Sequence, residues 1–377
     1  MKKTRKIIKK MFVTLLAILG LVFVSGLLFV NLSPQFGGKV AKEQSATYAK
    51  SENHQNGKFI NLAGIKAEMS GEDMLKAMGS MFKTIPNAKP KSIEVQRVDS
   101  TEISDYKGET RFIWFGHSAF LIQINGKNLL IDPMFGDVPA PHLLLGGKRF
   151  SNELPIEVEK LPKIDAVLIS HDHYDHLDYG SIKKLKHKVG TFFTPLGVGA
   201  HLREWGIPND KIVELDWWEE TEFEDLNFAS TPAQHFSGRG LTDRDKTQWC
   251  SWVIQSKTEK IFFSGDSGYA PHFKEIGNTY GPFDFAMMEC GQYNELWHEV
   301  HMFPEETAQA GLDIQAKRIM PIHWGAFKLA PHSWTDPVQR IIDKAEALNV
   351  ALVIPEIGKP TRIHDTLPQG DKWWDNY

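Results

Sequence analysis

The sequence predicts an α/β (α+β) fold, in which sheets carry helices on their outer faces behind an N-terminal transmembrane helix. Three observations carry this expectation. Short apolar runs rich in β-branched and aromatic residues recur from Arg97 onward, separated by turn signals and helical stretches. Several of these runs stop at a histidine or an aspartate. The stretch Met11–Val30 contains no charged residue at all.

The N-terminal element comes first. "MKKTRKIIKK" carries six basic residues and no acid. The uncharged run behind it matches the roughly twenty residues that cross a bilayer. A basic flank stays in the cytoplasm, so the rest of the chain is expected outside it. A cleaved signal peptide shares the basic flank but has a shorter apolar stretch and a small-residue cleavage site. No clean site of that kind follows, so residues 1–33 are expected to be an uncleaved anchor.

Residues 34–95 are expected to form a linker and a helical extension. "NLSPQFGGKVAKEQSATYAKSENHQNGK" shows no apolar period and reads as a polar linker. In "MSGEDMLKAMGSMF", Ser70 and Asp73 suit a helix start, and Met74, Leu75, Met78, Met81 and Phe82 fall on one helical face. The expectation is a helix packed on the main domain. The sharper alternative is a soft, Met-rich surface that touches lipid or acyl chains.

Residues 96–365 are expected to be the main domain and 366–377 a tail. "TRFIWFG" and "SAFLIQING" open a series of strands continued by "KNLLIDP", "DAVLIS", "GTFFTP", "LNFASTP", "SWVIQS", "KIFFSGD", "FDFAMME" and "RIMPIHW". Helices are expected at "DYGSIKKLKHK", "VGAHLREWG", "PEETAQAGLDIQA" and "PVQRIIDKAEAL". The net charge of −4 gives no footing for a nucleic-acid partner. The only two cysteines, Cys250 and Cys290, sit in apolar contexts and are expected to be buried free thiols in strands.

The chemistry is concentrated in "VLISHDHYDHLDYGS". His171, His173, Asp175 and His176 follow directly on an apolar strand. Burying such a cluster is costly unless a metal offsets the cost. One metal with an open position needs about three protein ligands, so four in six residues suit two adjacent ions. Strand ends converge in space, and three more apolar runs stop at ligand-type residues: His235, Asp266 and His323. His171, His173 and His235 can hold one ion; Asp175, His176 and His323 the other; Asp266 can bridge. Histidine and carboxylate without thiolate suit two Zn²⁺, and Fe or Mn are compatible with the same donors. His54, His187, His201, His332 and His364 are expected to be surface or hydrogen-bonded core histidines.

At these residues the chain resembles the metallo-β-lactamase superfamily. The match narrows to the N-acylphosphatidylethanolamine-hydrolysing phospholipase D branch over most of residues 110–335, carried by "GGKRF", "ELDWWEE", "TPAQHFSGRG", "FFSGDSGYAPHFKEIGNTYGPFD" and "HMFPEETAQAGLDIQAKRIMPIHWGAF". The resemblance implies an αββα sandwich with the site at the edge of its two sheets. It also implies the same metal ligands. It places His301 at the substrate phosphate, His117 in a loop near the site, and Asp132 behind a ligand histidine, which it orients. Tyr174, Tyr269 and Gln234 lie beside ligands. "MMECGQYNELWHEVH" follows the branch only loosely, which leaves head-group and acyl selectivity open.

The function expected is hydrolysis of a phosphodiester, with phospholipid and membrane as partners, and Asp266 or Asp175 as proton acceptor. Homo-oligomerisation is left open. The rivals are a lactonase or an enzyme of soluble phosphodiesters, and, in a different class, a non-catalytic membrane-tethered binding protein. An apolar groove beside the metals favours lipid; a small polar pocket favours the soluble substrates. The complete ligand set speaks against a non-catalytic role.

Overall fold

The computed structural model describes residues 2–62, 64–65, 70–365 and 372–377. It opens with a long helix, α1 (Lys2–Leu32). Its segment Lys3–Leu32 has a mean hydropathy of 2.7 over its most apolar window and buries none of it, so it is long and apolar enough to cross a membrane. An anchor and a signal sequence share these features.

Next come α2 (Lys42–Tyr48), a small hairpin of β1 (His54–Gln55) and β2 (Lys58–Phe59), α3 (Gly71–Met81) and the short α4 (Ser100–Ser104). The stretch expected to be a polar linker is instead docked. Tyr48 is buried and donates its hydroxyl hydrogen to Glu214, and Phe59 joins the central core. Isolated aromatics in a polar stretch produce no periodicity, so the pattern gave no sign of them.

The main domain consists of two sheets. The first runs β3 (Arg111–Trp114), β4 (Phe120–Ile124), β5 (Lys127–Ile131), β6 (Ile164–Leu168), β7 (Val189–Pro195) and β8 (Ile212–Leu215), with β15 (Thr361–Arg362) added beside β3. The second holds β9 (Glu220–Phe223), β10 (Leu226–Thr231), β11 (Ser251–Gln255), β12 (Lys260–Phe263), β13 (Phe285–Glu289) and β14 (Ile319–Ile322) in order across the sheet. Helices α5 (Tyr179–Leu185) and α6 (Gly199–Glu204) follow β6 and β7; α7 (His272–Tyr280), α8 (Pro304–Asp313) and α9 (Asp336–Leu348) belong to the second half.

Side-chain alternation explains the layering. Phe112, Trp114, Phe120, Ile122, Leu129, Ile131, Ala166 and Leu168 point inward and meet Phe228, Trp252, Ile254, Ile261, Phe263, Phe285 and Met287 of the second sheet. The alternate residues Ile113, Leu121, Leu130 and Val167 face Ile182, Leu185 and Leu202 on the outside. On the far side, Val253, Phe262, Ala286 and Met288 pack on Phe273, Ile276, Ala308 and Ile341. The result is an αββα sandwich.

Three further differences from expectation concern the extremities and the cysteines. Helix α3 starts at Ser70, whose hydroxyl accepts the Asp73 amide hydrogen, but Met74, Leu75, Met78, Met81 and Phe82 are exposed rather than packed into the core. Of the expected tail, residues 366–371 lie outside the described residues, while Trp373 and Trp374 are buried against Trp324. Cys250 and Cys290 are buried free thiols, each one residue outside a strand.

Candidate metal centre

Four strands deliver the site. The loop after β6 brings His171, His173, Asp175 and His176; the segments after β10, β12 and β14 bring His235, Asp266 and His323. Their donor atoms converge into two adjoining clusters. His171, His173, His235 and Asp266 form one, and Asp175, His176, His323 and His117 the other. Asp266 lies between them: its Oδ2 is 3.8 Å from both His171 Nε2 and His235 Nε2, 3.1 Å from His176 Nε2 and 3.2 Å from His323 Nε2. Gly265 makes this approach feasible. It adopts φ +59°, and a Cβ there would meet the Cys250 carbonyl oxygen at 2.7 Å.

The histidine rings share one arrangement. Each of four turns one nitrogen outward to a protein partner and the other inward. His171 Nδ1 lies 2.9 Å from Ser170 Oγ, and His235 Nδ1 donates to the Val300 carbonyl at 3.1 Å. His176 Nδ1 is 2.7 Å from Asp132, which also accepts hydrogen bonds from the Ser170 amide and hydroxyl. His323 Nδ1 is 3.3 Å from Glu289. Such outer partners fix the tautomer and aim the remaining lone pair at a metal.

The inward nitrogens crowd one another. His173 Nδ1 sits 2.9 Å from His171 Nε2 and 3.1 Å from His235 Nε2. Burial, reinforced by the neighbouring rings, pushes His171 and His235 well below the usual histidine range, so both are neutral and offer lone pairs. His323 behaves oppositely. Burial works against its charged form, yet Asp266, Asp175 and Glu289 raise it to about 10. Burial likewise opposes the Asp266 charge, but His176 and His323 hold its carboxyl well below the usual carboxylate range.

These residues fit a pair of metal ions. Asp266 Oδ1 is buried with no hydrogen-bond partner among the described residues, an orphan that a bound cation would satisfy. The donors are imidazole nitrogens and carboxylate oxygens, which suit Zn²⁺, Fe or Mn.

His117 lies deeper than a nearby loop position. Its Nε2 is 2.9 Å from Asp175 Oδ2, its own backbone is left-handed at φ 55°, and burial pushes it down to about 3. Asp132 and His323 also take positive φ, so strained backbone gathers at this site. His301 sits on the rim, its Nδ1 3.3 Å from Glu289 and its ring stacked 5.2 Å from His323. Tyr174 hydrogen-bonds the Arg239 carbonyl, and Gln234 the Glu299 carbonyl. Tyr269 reaches Asp313, away from the clusters.

Three contributors escaped the sequence reading. Glu289 ends β13 and steadies both His301 and His323. Asp172, between two candidate ligands, instead accepts from the Gly238 amide and the Thr247 hydroxyl and lies 3.2 Å from His201. Asn61, from the supposed linker, hydrogen-bonds the backbone of His235 through both its amide atoms.

A cleft of about 590 Å³ opens over the clusters. His173, Asp175, Asp266, His301 and His323 form its floor side, and Met74, Met78, Met81, Leu296, Trp297, Val300 and Leu329 its apolar walls. Arg244, stacked 4.2 Å over the Phe236 ring, is the one Lys or Arg among the described lining residues.

Residues 127–324 match the family model of the beta-lactamase superfamily domain. This chain belongs to the β-lactamase superfamily. With the histidine–aspartate clusters, membership makes it a metal-dependent hydrolase. An uncharacterized protein of Mycobacterium tuberculosis is 36% identical over 359 residues, covering 91% of this chain and 92% of its own length. The N-acyl-phosphatidylethanolamine-hydrolyzing phospholipase D 1 of Caenorhabditis elegans is 30% identical over 263 residues, covering 65% of this chain and 74% of that protein. Among solved structures, a metallo hydrolase of Ignicoccus hospitalis superposes with a TM-score of 0.51 at 20% identity, covering 67% of this chain and 98% of that one, a likeness of fold.

Proposed function

We propose that this superfamily member is a membrane-anchored phospholipase D-type phosphodiesterase, with N-acyl phosphatidylethanolamine or a related phospholipid as substrate. The observation that carries the proposal is the cleft: apolar, Met-rich walls lead to two histidine–aspartate clusters, with Arg244 as a cationic group in the lining. Flexible thioether side chains suit acyl chains of varying shape, and a small polar pocket, the mark of soluble substrates, is not what overlies the clusters. The similarity to the nematode phospholipase D supports the same substrate class. Helix α1, with its basic flank in the cytoplasm, serves as the anchor and sets the domain on the outer side.

In this reading His171, His173 and His235 would hold one ion, Asp175, His176 and His323 the other, and Asp266 lies where it could serve either. When bound, the ions supply Lewis acidity toward a phosphoryl oxygen and lower the pKa of a water. The chain does the remaining work. Asp266 or Asp175 would accept the one proton given up by the attacking water. His301, with Nδ1 turned to Glu289, has Nε2 left to steady a phosphoryl oxygen. Water oxygen bonds to phosphorus, the bond from phosphorus to the ethanolamine oxygen breaks, and that oxygen takes a proton. The products are phosphatidic acid and an N-acylethanolamine.

The test is mass spectrometry of products from metal-loaded, full-length protein in mixed micelles, with Asp266→Asn as control. The expected outcome is both products from the wild type and a loss of roughly 100-fold or more in the variant, the scale seen when transition-state charge stabilisation is removed. Unimpaired turnover by a folded Asp266→Asn variant would contradict the metal mechanism. Turnover of lactones or soluble phosphodiesters with none of the lipid would favour the rival substrates.

A further inference from the structure

Helix α1 does not end in a flexible tether. Leu32 closes the helix, and two residues later the Pro34 carbonyl accepts a hydrogen bond from Trp205 Nε1 at 2.8 Å. Arg239 donates twice to the Gln35 carbonyl, at 2.9 and 2.7 Å. Gly37 then packs so closely on His201 that a Cβ would lie 2.1 Å from its Nδ1. The same Arg239 donates through Nη1 to the carbonyls of Asp172, within the histidine loop, and Leu177, directly after it. The exit of α1 is thus stapled to the backbone that carries the metal-site residues.

Next to this exit lies an apolar feature that the catalytic account leaves unused. Phe29, in the last full turn before the helix end, stacks edge-on against His142 at 6.0 Å. His142 opens the turn that presents Leu143, Leu144 and Leu145, which are 66%, 87% and 63% exposed. The turn is internally ordered: the Leu145 amide donates to the His142 carbonyl, and the Leu144 amide to His142 Nδ1. Three consecutive exposed leucines on a fixed turn are an unusual cost for a surface facing only water. Lys148, exposed just beyond them, suits lipid phosphates.

We infer that the Leu143–Leu145 turn inserts into the bilayer leaflet that α1 leaves, so that helix and turn form a two-point membrane seat for the catalytic domain. The inference rests on the anchor reading of α1 given above. A span of about twenty residues from Met11 rises about 30 Å, the depth of the hydrocarbon core. Phe29 then falls at the boundary between acyl chains and head groups, and its contact with His142 holds the leucine turn at that level. The occupant of this apolar patch is the phospholipid surface itself. Seated so, the domain is kept from swinging about its anchor and the histidine loop is held a fixed distance from the lipid.

The experiment uses the full chain in phosphatidylethanolamine–phosphatidylglycerol nanodiscs, labelled at a single introduced cysteine with a polarity-sensitive fluorophore. Buried Cys250 and Cys290 leave the unmodified chain as an unlabelled reference. Probes go at Leu144→Cys, at Leu19→Cys within α1, and at Lys257→Cys in the β11–β12 turn, at the end of the sheet opposite the metal cluster. The expected result is blue-shifted emission, quenched by spin-labelled acyl chains, at positions 144 and 19 but not at 257. Quenching at 19 without quenching at 144 overturns the membrane seat and leaves the anchor standing. Quenching at neither overturns the anchor, and the seat falls with it.

Discussion

Asp132 shows how much of this site is held from behind. It lies within ligand distance of His171 and His176, and its carboxylate takes His176 Nδ1 and two donors of Ser170 at once. Asp132→Asn is therefore expected to weaken metal binding by about 10–100-fold while the fold persists. Competition with a chromogenic chelator measures this; an unchanged affinity would detach Asp132 from the metal centre. Protonation gives a second check on single residues. In the metal-free protein, against its burial, the carboxylates of Asp266 and Asp175 push His323 up to about 10, so at pH 7 it is expected to carry a proton and pair with them. A metal needs its lone pair, so uptake must release that proton, and affinity must rise with pH through the neutral range. Calorimetry in buffers of different ionisation enthalpy is expected to show net proton release on metal binding. Proton uptake, or affinity independent of pH, would contradict the arrangement.

Helix α3 is the element whose role the sequence left divided. Its methionines fall on one face, as the spacing indicated, but that face is exposed and partly lines the cleft. Because Met74 and Met78 are solvent-accessible, replacing both with serine is expected to change stability by less than about 1 kcal/mol. The same change is expected to raise KM for a long-chain phospholipid and leave hydrolysis of a soluble aryl phosphodiester unaltered. Equal losses on both substrates would assign α3 a structural role instead. The strands were more plainly written than the helices. β3 to β7 and β10 to β14 are buried on both faces, so they appear as continuous apolar runs. β9 was missed because it is an edge strand of sequence "ETEF", alternating exposed with half-buried residues. α7 was missed because its start is the mixed stretch "HFKEIG", whose buried His272 gives no apolar signal.

At the scale of the whole molecule, the site was legible because one rule generated it: an apolar strand that stops at a ligand-type residue. The rule brought His235, Asp266 and His323 to the histidine loop, His323 from 147 residues beyond His176. It also applied to Glu289 at the end of β13, which was passed over as an ordinary strand end and proves to brace two histidines. What the rule cannot see is a residue that acts from an unpatterned segment. Asn61 and Arg239 hold the site through backbone groups, and such contacts leave no spacing in a sequence. The proposal built on this fold and cleft is a hydrolase whose water attacks the phosphorus of a membrane lipid. Turnover of N-acyl phosphatidylethanolamine in ¹⁸O-water by the full-length, metal-loaded protein tests that claim most directly. The account predicts one ¹⁸O atom in phosphatidic acid, none in the N-acylethanolamine, and no product after chelation. Label in the N-acylethanolamine, or no hydrolysis by protein that holds both metal ions, would contradict it.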